Sequence, residues 1–320
     1  MRAAVLDAPG AALEIRGVPM PQPTTGWVLI QVKAFGLNRS ELHTRLGFAE
    51  GVTFPRVLGI EATGIVVSAP GGEFDAGQKV VTMMGGMGRQ IDGGYAEYTM
   101  VRAQNVIPFT SELDWATIGA VPEMLQTAYG SLTIGLDARA GQSILIRGGT
   151  SSVGMAAAVL AKRLGMTVFS TTRRADRLDD LARVGVDYPL IDDGNIAAQV
   201  RAIAPSGIEA ALELVGAPTL PDTLRSIAVH GTVCFTGMLS NQWLLHDFYP
   251  NGDLPRGVRL TGYHGEASDL PASVLQQFLD DAASGAITVP VGAVFPFDDI
   301  AAAAAAMETD AVVGKIVVTT

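Results

Sequence analysis

The sequence predicts an α/β protein in which a mostly β region precedes a region of alternating strands and helices. Up to about residue 118, short β-type runs such as "WVLIQVKAFGL" and "QKVVTMMG" are separated by turn residues, a pattern typical of a compact β domain. From "LDWATIGAVPEM" onward, strand-like and helix-like segments alternate. This alternation favours a doubly wound parallel sheet that is covered by helices on both faces.

Within the second region, the apolar runs define a regular series of elements. Strands are predicted at 143–147, 167–171, 188–191, 210–215, 232–236 and 258–263, and helices over about 152–165 and 175–184. After residue 263, the segment "DLPASVLQQFLDDAASG" and the alanine run 301–306 each predict a helix.

Composition excludes several classes of function. A chain of 320 residues with 48% hydrophobic residues can bury the cores of two domains. The net charge of -10 argues against a nucleic-acid partner. The single cysteine, Cys234, excludes a disulfide within the chain and a metal site built from several thiolates. The sequence shows no signal-type apolar core at its start and no long apolar run, so we expect a cytoplasmic protein without a membrane partner.

The stretch "LIRGGTSSVGMAAAVLAKRLG" places a glycine and serine loop between a strand and an alanine-rich helix. Small residues allow a ligand to approach the backbone, and a helix N-terminus offers free N–H groups to a phosphate. An ordinary tight turn is the alternative interpretation. We predict that the loop binds the pyrophosphate of a dinucleotide through Gly149, Thr150, Ser151, Ser152, Val153 and Gly154.

The end of the next strand indicates which dinucleotide is bound. NAD-binding folds place a carboxylate there for the ribose 2′-hydroxyl, but this sequence reads Thr172-Arg173-Arg174. Two guanidinium groups suit a 2′-phosphate and therefore NADP(H), although both could simply be solvated at a helix start. Asp192, near the end of the third strand, would repel that phosphate unless it faces away.

Further motifs extend along nearly the whole chain: "GLNRSELHTRLG", "VLGIEATGIV", "GGYAEY", "LQTAYGSL", "ALELVG" and "VVGKIVV". With the glycine loop, they make the sequence resemble the zinc-independent, quinone oxidoreductase-like branch of the medium-chain dehydrogenases/reductases. The resemblance implies a GroES-like domain over 1–118, a Rossmann domain over 119–263, a return to the first domain over 264–320, and a homodimer.

The resemblance also implies cofactor contacts beyond the glycine loop. Thr127 matches a family threonine near the nicotinamide. Val215 and Gly216 in "ELVG" and Gly237 in "CFTG" end strands where a cofactor would cross the sheet, although glycines can merely terminate strands. Lys315 is expected to be a structural charge or a peripheral cofactor contact.

Zinc alcohol dehydrogenases of this family bind a catalytic metal through a cysteine and the histidine of a "GHE" triplet. In this sequence the matching positions are Asn38 and Ile60, which cannot replace those ligands. We therefore expect no metal. A protein without this Lewis acid remains able to direct hydride to an acceptor that is already electron-poor.

The resulting hypothesis is a zinc-free, NADPH-dependent reductase of a small electrophilic acceptor, either a quinone or an α,β-unsaturated carbonyl. His43, which replaces a tyrosine of related quinone oxidoreductases, and Asn38 are candidate catalytic residues; the alternatives are a surface or packing role for His43 and a turn role for Asn38. Tyr95, Trp243 and Tyr263 are candidates for an apolar substrate cleft, and core packing is the alternative role for each of them. The rival functions are a trans-2-enoyl thioester reductase and a non-catalytic, crystallin-like NADPH-binding protein.

Overall fold

The structure, a computed structural model, describes residues 1–320 and divides into two units. The first unit consists of Met1–Gln126 and Gly265–Thr320, and the second of Thr127–His264. The first boundary falls within the helix Pro122–Gly130 and not at residue 118 as expected. The reason is that Gly119 packs against the first unit, where a Cβ at this glycine would lie 2.6 Å from the Cβ of Ala34.

The first unit is mostly β. Its strands are β1 (Arg2–Leu6), β2 (Leu13–Gly17), β3 (Trp27–Gly36), β4 (Arg56–Val57), β5 (Glu61–Ser68), β6 (Lys79–Met83), β7 (Tyr98–Arg102), β8 (Val106–Pro108), β15 (Val291–Pro296) and β16 (Lys315–Thr319). Its helices are α1 (Arg39–Arg45), α2 (Trp115–Gly119), the start of α3 (Pro122–Gly130), α9 (Ala272–Ala283) and α10 (Ile300–Glu308).

Two sheets organise this unit. One has the order β2-β1-β4, and the other has the order β15-β16-β3-β5-β6-β8, with β7 also paired to β3. Seven of the ten residues of β3 are buried, and the three half-buried ones, Trp27, Gln31 and Lys33, share one face of the strand because even numbers of positions separate them. The C-terminal strand β16 pairs antiparallel with β3, which brings the last residues of the chain next to residues 34–36.

The second unit is a parallel six-stranded sheet. Its strands are β9 (Ser143–Arg147), β10 (Thr167–Thr172), β11 (Tyr188–Ile191), β12 (Ile208–Glu213), β13 (Ile227–Phe235) and β14 (Arg259–Gly262), in the order β11-β10-β9-β12-β13-β14. Every pair of neighbours is parallel. Numbered within the unit, the order is 3-2-1-4-5-6, which is that of a dinucleotide-binding Rossmann sheet. The predicted fold class is thus confirmed.

Five α-helices accompany these strands: α4 (Ser152–Arg163), α5 (Leu178–Arg183), α6 (Ile196–Ile203), α7 (Leu220–Arg225) and α8 (Pro250–Asp253). The helix predicted over 175–184 is split into a 3₁₀ turn, Ala175–Arg177, and α5, because the backbone of Arg177 leaves the helical region with a φ of -108° and a ψ of 5°. The alanine run 301–306 lies within α10, as predicted. No helix combines the length and apolar character that crossing a bilayer requires.

Candidate functional site

The glycine loop, residues 148–151, connects β9 to α4 and has almost no room for side chains. A Cβ at Gly149 would lie 1.8 Å from the Oγ of Ser170, and a Cβ at Gly154 would lie 2.7 Å from the carbonyl oxygen of Gly148. The backbone of the loop is tied to the next strand, because the N–H of Gly149 donates to the carbonyl oxygen of Thr171 over 2.9 Å. The first turn of α4 therefore lies directly against the loop.

Ser151 caps α4 and connects it to the loop. Its Oγ accepts a hydrogen bond of 3.1 Å from the N–H of Gly154 and donates one of 2.8 Å to the carbonyl oxygen of Gly148. The N–H groups of Ser152 and Val153, in the first turn, have no acceptor within the helix. The partial positive charge of the helix N-terminus, together with these donors, suits a phosphate.

At the end of β10, buried side chains with hydroxyl groups are followed by exposed, positively charged side chains. Ser170, Thr171 and Thr172 are buried, whereas Arg173 and Arg174 are exposed. Arg174 is paired with Asp176 over 2.5 Å at the surface, where both side chains are more than half exposed. Such a pair contributes little free energy, so a phosphate could compete for this guanidinium.

Asp192, the carboxylate expected to oppose a 2′-phosphate, faces the interior of the second unit. Both of its oxygens accept from Arg147, each over 2.8 Å, in a bidentate pair. The Arg147 side chain is completely buried at the end of β9 and also donates to Asp222 over 2.8 Å. The carboxylate of Asp192 is therefore paired with a buried guanidinium, which it shares with Asp222.

A second buried carboxylate, Glu213, fixes the turn after β12. It accepts from the N–H of Val215 over 2.8 Å, from the N–H of Gly216 over 3.0 Å and from the Oγ1 of Thr219 over 3.0 Å. Burial raises the pKa of Glu213 above its usual value. Nearby, Gly237 packs so closely that a Cβ would lie 2.5 Å from the carbonyl oxygen of Leu214. The two predicted glycines, Gly216 and Gly237, thus belong to one tightly packed edge.

Three further predicted residues lie elsewhere in the second unit. Thr127 is buried in α3, where its carbonyl oxygen accepts from the Oγ of Ser131 over 2.7 Å. Trp243 is partly exposed and borders a groove of about 330 Å³ next to β14. Tyr263 is buried against Gly130, where a Cβ would lie 1.8 Å from the tyrosine hydroxyl, so core packing accounts for its position.

The remaining candidates lie in the first unit. Tyr95 is buried, and its ring stacks on Phe35 with a centroid distance of 4.7 Å, so core packing accounts for its position. His43 is buried in α1, where its ring centroid lies 6.3 Å from that of Phe48. The possibility that His43 is a surface histidine is therefore excluded.

The side chain and the backbone N–H of Asn38 form hydrogen bonds within the first unit. Its Nδ2 donates to the Oε1 of Glu61 over 2.9 Å, and its Oδ1 accepts from the Nζ of Lys315 over 2.5 Å. Its backbone N–H donates to Glu41 over 2.9 Å at the start of α1. These residues do not fit a zinc site, because the amide oxygen of Asn38 already accepts a hydrogen bond from an ammonium group and Ile60 offers no ligand atom.

Two buried groups near the glycine loop were missed by sequence reasoning, Arg147 and Glu213. A signal for each was present in the sequence: an arginine ends the apolar run "SILIR", and a glutamate interrupts "ALELVG". A charged residue at the end of an otherwise buried strand needs a partner. The sequence cannot name that partner, because Asp192 and Asp222 are 45 and 75 positions away from Arg147.

Two family models match the chain. One describes the alcohol dehydrogenase GroES-like domain and matches residues 24–111, and the other describes a zinc-binding dehydrogenase and matches residues 184–318. Together with the Rossmann strand order, they settle the family. The chain belongs to the medium-chain dehydrogenases/reductases. This medium-chain dehydrogenase/reductase is an oxidoreductase similar to the quinone oxidoreductases of the family.

Its relatives include both quinone and enoyl reductases. It is 27% identical over 225 residues to a quinone oxidoreductase of Lama guanicoe, covering 69% of this chain and 67% of that protein. It is 31% identical over 228 residues to a trans-enoyl reductase of Aspergillus flavipes, covering 65% of each chain. It is also 25% identical over 310 residues to a squalestatin tetraketide synthase of a Phoma species, covering 92% of this chain but only 11% of the synthase.

Solved structures match the whole medium-chain dehydrogenase/reductase chain. A mycobacterial protein complexed with NADPH superimposes with a TM-score of 0.86 at 26% identity, covering 100% of both chains. A protein described as an NAD-dependent alcohol dehydrogenase superimposes with a TM-score of 0.89 at 25% identity, also covering 100% of both chains. Because these two structures share the fold, the fold does not discriminate between NADPH and NADH. Any preference has to be inferred from the residues of this chain.

Proposed function

We propose that this protein is a zinc-free, NADPH-dependent reductase that transfers hydride to a quinone or an α,β-unsaturated carbonyl. The observation that carries the cofactor preference is the end of β10, where Arg173 and Arg174 are exposed and no carboxylate ends the strand. Guanidinium groups bind a phosphate through charge-assisted hydrogen bonds, which NADH could not form at its 2′-hydroxyl.

The ion pair between Asp192 and Arg147 supports the same preference for NADPH. A free carboxylate after β11 would repel a 2′-phosphate, but this one is satisfied by a buried guanidinium. The first turn of α4 would bind the pyrophosphate, and the Glu213-supported turn would border the cofactor at the carboxyl edge of the sheet. When bound, the reduced nicotinamide supplies the hydride.

The test of cofactor preference is the double variant Arg173→Ala with Arg174→Ala. Its affinity for NADPH should fall by about tenfold or more, since charge-assisted bonds to the 2′-phosphate are lost, while its affinity for NADH should barely change. Arg139→Ala is the matched control: Arg139 is also exposed and paired with a nearby aspartate, Asp137, but it precedes β9 at the opposite end of the strand. Equal affinity of the unaltered protein for NADH and NADPH would contradict the proposal.

The hydride acceptor needs a separate test. The similarity to the trans-enoyl reductase of Aspergillus flavipes favours an enoyl thioester as the second candidate. Steady-state oxidation of NADPH by a panel of quinones, enones and crotonyl thioesters distinguishes a quinone or enone reductase from an enoyl thioester reductase. Activity with thioesters alone would support the second candidate, and cofactor binding without turnover of any acceptor would indicate a non-catalytic binding protein.

A further inference from the structure

The ammonium group of Lys315 is enclosed by oxygen atoms in the first unit. Its Nζ lies 2.7 Å from the Oε1 of Glu61, 2.5 Å from the Oδ1 of Asn38 and 3.2 Å from the Oε2 of Glu123. The side chains of Lys315 and Glu61 are completely buried. We call Asn38, Glu61, Glu123 and Lys315 the Lys315 cluster.

Two members of the Lys315 cluster, Glu61 and Asn38, are also held by hydrogen bonds that do not involve the lysine. The Oε2 of Glu61 accepts from the backbone N–H of Glu123 over 2.8 Å, and its Oε1 accepts from Asn38. Asn38 in turn is fixed at the start of α1 through Glu41. Glu61 and Asn38 therefore each have an anchor besides the lysine, so their positions do not depend on Lys315 alone.

The first unit also provides space for the lysine stem. Gly36, at the end of β3, lies so close that a Cβ there would be 2.1 Å from the Cε of Lys315 and 2.5 Å from the Oε1 of Glu61. Only a glycine leaves that space open. The stem and the head of the lysine are thus both accommodated by specific residues of this chain.

The three oxygens account for the three protons of the ammonium. Lys315 consequently has no proton left to donate to a substrate carbonyl. The family positions that would bind zinc are Asn38 and Ile60, and the first of these is a member of the Lys315 cluster.

We infer that the Lys315 cluster is a cation site whose permanent occupant is the chain's own ammonium, and that removing this side chain opens the site to a small alkylammonium ion. The single positive charge of the ammonium offsets part of the negative charge of the two carboxylates, which would be costly to bury without a cation. The same positive charge, at the first zinc-ligand position, opposes binding of a metal ion. This inference is independent of the cofactor preference and of the hydride acceptor.

Two variants of the same residue test it. Lys315→Ala removes the ammonium and the stem and so leaves a cavity, whereas Lys315→Met removes the charge but fills most of that space. Both should unfold at lower urea concentrations than the unaltered protein. Ethylammonium chloride, compared with sodium chloride at equal ionic strength, should raise the folding equilibrium constant of Lys315→Ala saturably, by about tenfold or more. It should not change that of Lys315→Met.

If the variants do not fold alone, recovery of folded protein on refolding with ethylammonium or sodium chloride is the readout. Rescue of Lys315→Ala alone supports the inference. No rescue, or equal rescue of both variants, overturns it. Elemental analysis of the unaltered protein gives a second check: we expect no stoichiometric zinc, and one tightly bound zinc per chain would overturn the inference, because the ammonium already uses these oxygens.

Discussion

Buried basic side chains determine much of the chemistry available at the level of single residues. Arg147 directs its guanidinium to Asp192, Asp222 and Thr223, and Lys315 directs its ammonium to two carboxylates and an amide. A buried charge is tolerated when its hydrogen-bonding positions are filled. Burial alone would lower the pKa of Lys315, but the nearby carboxylates outweigh it and raise that pKa above its usual value. Both residues remain charged at neutral pH.

His43 is the residue whose role is most open to experiment. Its ring is buried beside Phe48, so packing explains its position without a catalytic role. We expect His43→Ala to keep turnover within about tenfold of the unaltered protein between about pH 5 and 9, since solvent or the substrate can supply the proton.

NADPH binding of the same variant serves as the control for correct folding. A larger loss of turnover, with unchanged NADPH binding and loss of a kinetic titration, would show instead that His43 donates the proton.

At the scale of elements, small residues allow α4 to approach the sheet. Ala156, Ala157, Ala158 and Ala161 are completely buried on this helix, and Gly154 places its first turn against the glycine loop. Close packing of this kind leaves no space for an added methyl group. The position of the N-terminal N–H groups, and with it the phosphate site, depends on this packing.

The variant Gly154→Ala tests whether the phosphate site depends on this close packing. The added Cβ would lie 2.7 Å from the carbonyl oxygen of Gly148 and 2.8 Å from the Cα of Gly149, so helix or loop must move. We expect a loss of about 1 to 3 kcal/mol in stability and a fall in NADPH affinity of about tenfold. Gly17→Ala is the control, because a Cβ at Gly17 meets no atom within 4 Å. Unchanged NADPH binding in Gly154→Ala would show that the loop does not contact the pyrophosphate.

At the scale of the whole molecule, buried carboxylates predict how stability varies with pH. Burial raises the pKa of Glu41 to about 7, although the backbone N–H of Ile60 opposes the shift. Folded Glu41 therefore keeps its proton to higher pH than the unfolded chain does. Its contribution to stability is fully present below about pH 4.5 and is lost as the pH rises to about 7, which amounts to about 3 kcal/mol.

Carboxylates with lowered pKa values act in the opposite direction at lower pH. The hydroxyl and backbone N–H of Thr117 lower the pKa of Asp114, so its contribution is lost as the pH falls below the usual aspartate range. We therefore expect the urea midpoint to be higher at pH 5 than at pH 8. Glu41→Gln should reduce this difference while lowering stability overall, because an amide cannot accept from the N–H groups of both Asn38 and Ile60. An equal or higher midpoint at pH 8 would contradict the prediction.

The edge strand β14 of the parallel sheet is a candidate surface for dimerisation. Strand β14 is the last strand in the order, so one side of its backbone has no neighbouring strand in the chain, and the groove beside it is lined by Trp243, Leu245 and Leu260 among others. An apolar edge of this kind favours association with a second copy. We expect a homodimer; a monomeric mass by light scattering at micromolar concentration would contradict it.

The sequence by itself determined the order of the elements, the glycine loop and the absence of zinc ligands at Asn38 and Ile60. These features depend on residues close together in the chain: apolar periodicity, turn residues and the types of side chain at motif positions. For the same reason the alternation of strands and helices predicted the parallel sheet of the second unit.

Only the tertiary structure decided which buried groups are partners. Lys315 contacts Asn38 from 277 positions away, and Arg147 reaches Asp222 from 75 positions away. It likewise decided that Tyr95 and Tyr263 are buried and that Asp192 faces inward. The physical reason is that burial and charge pairing depend on how distant segments pack, and hydrophobicity or charge type at one position does not specify the segment that will cover it.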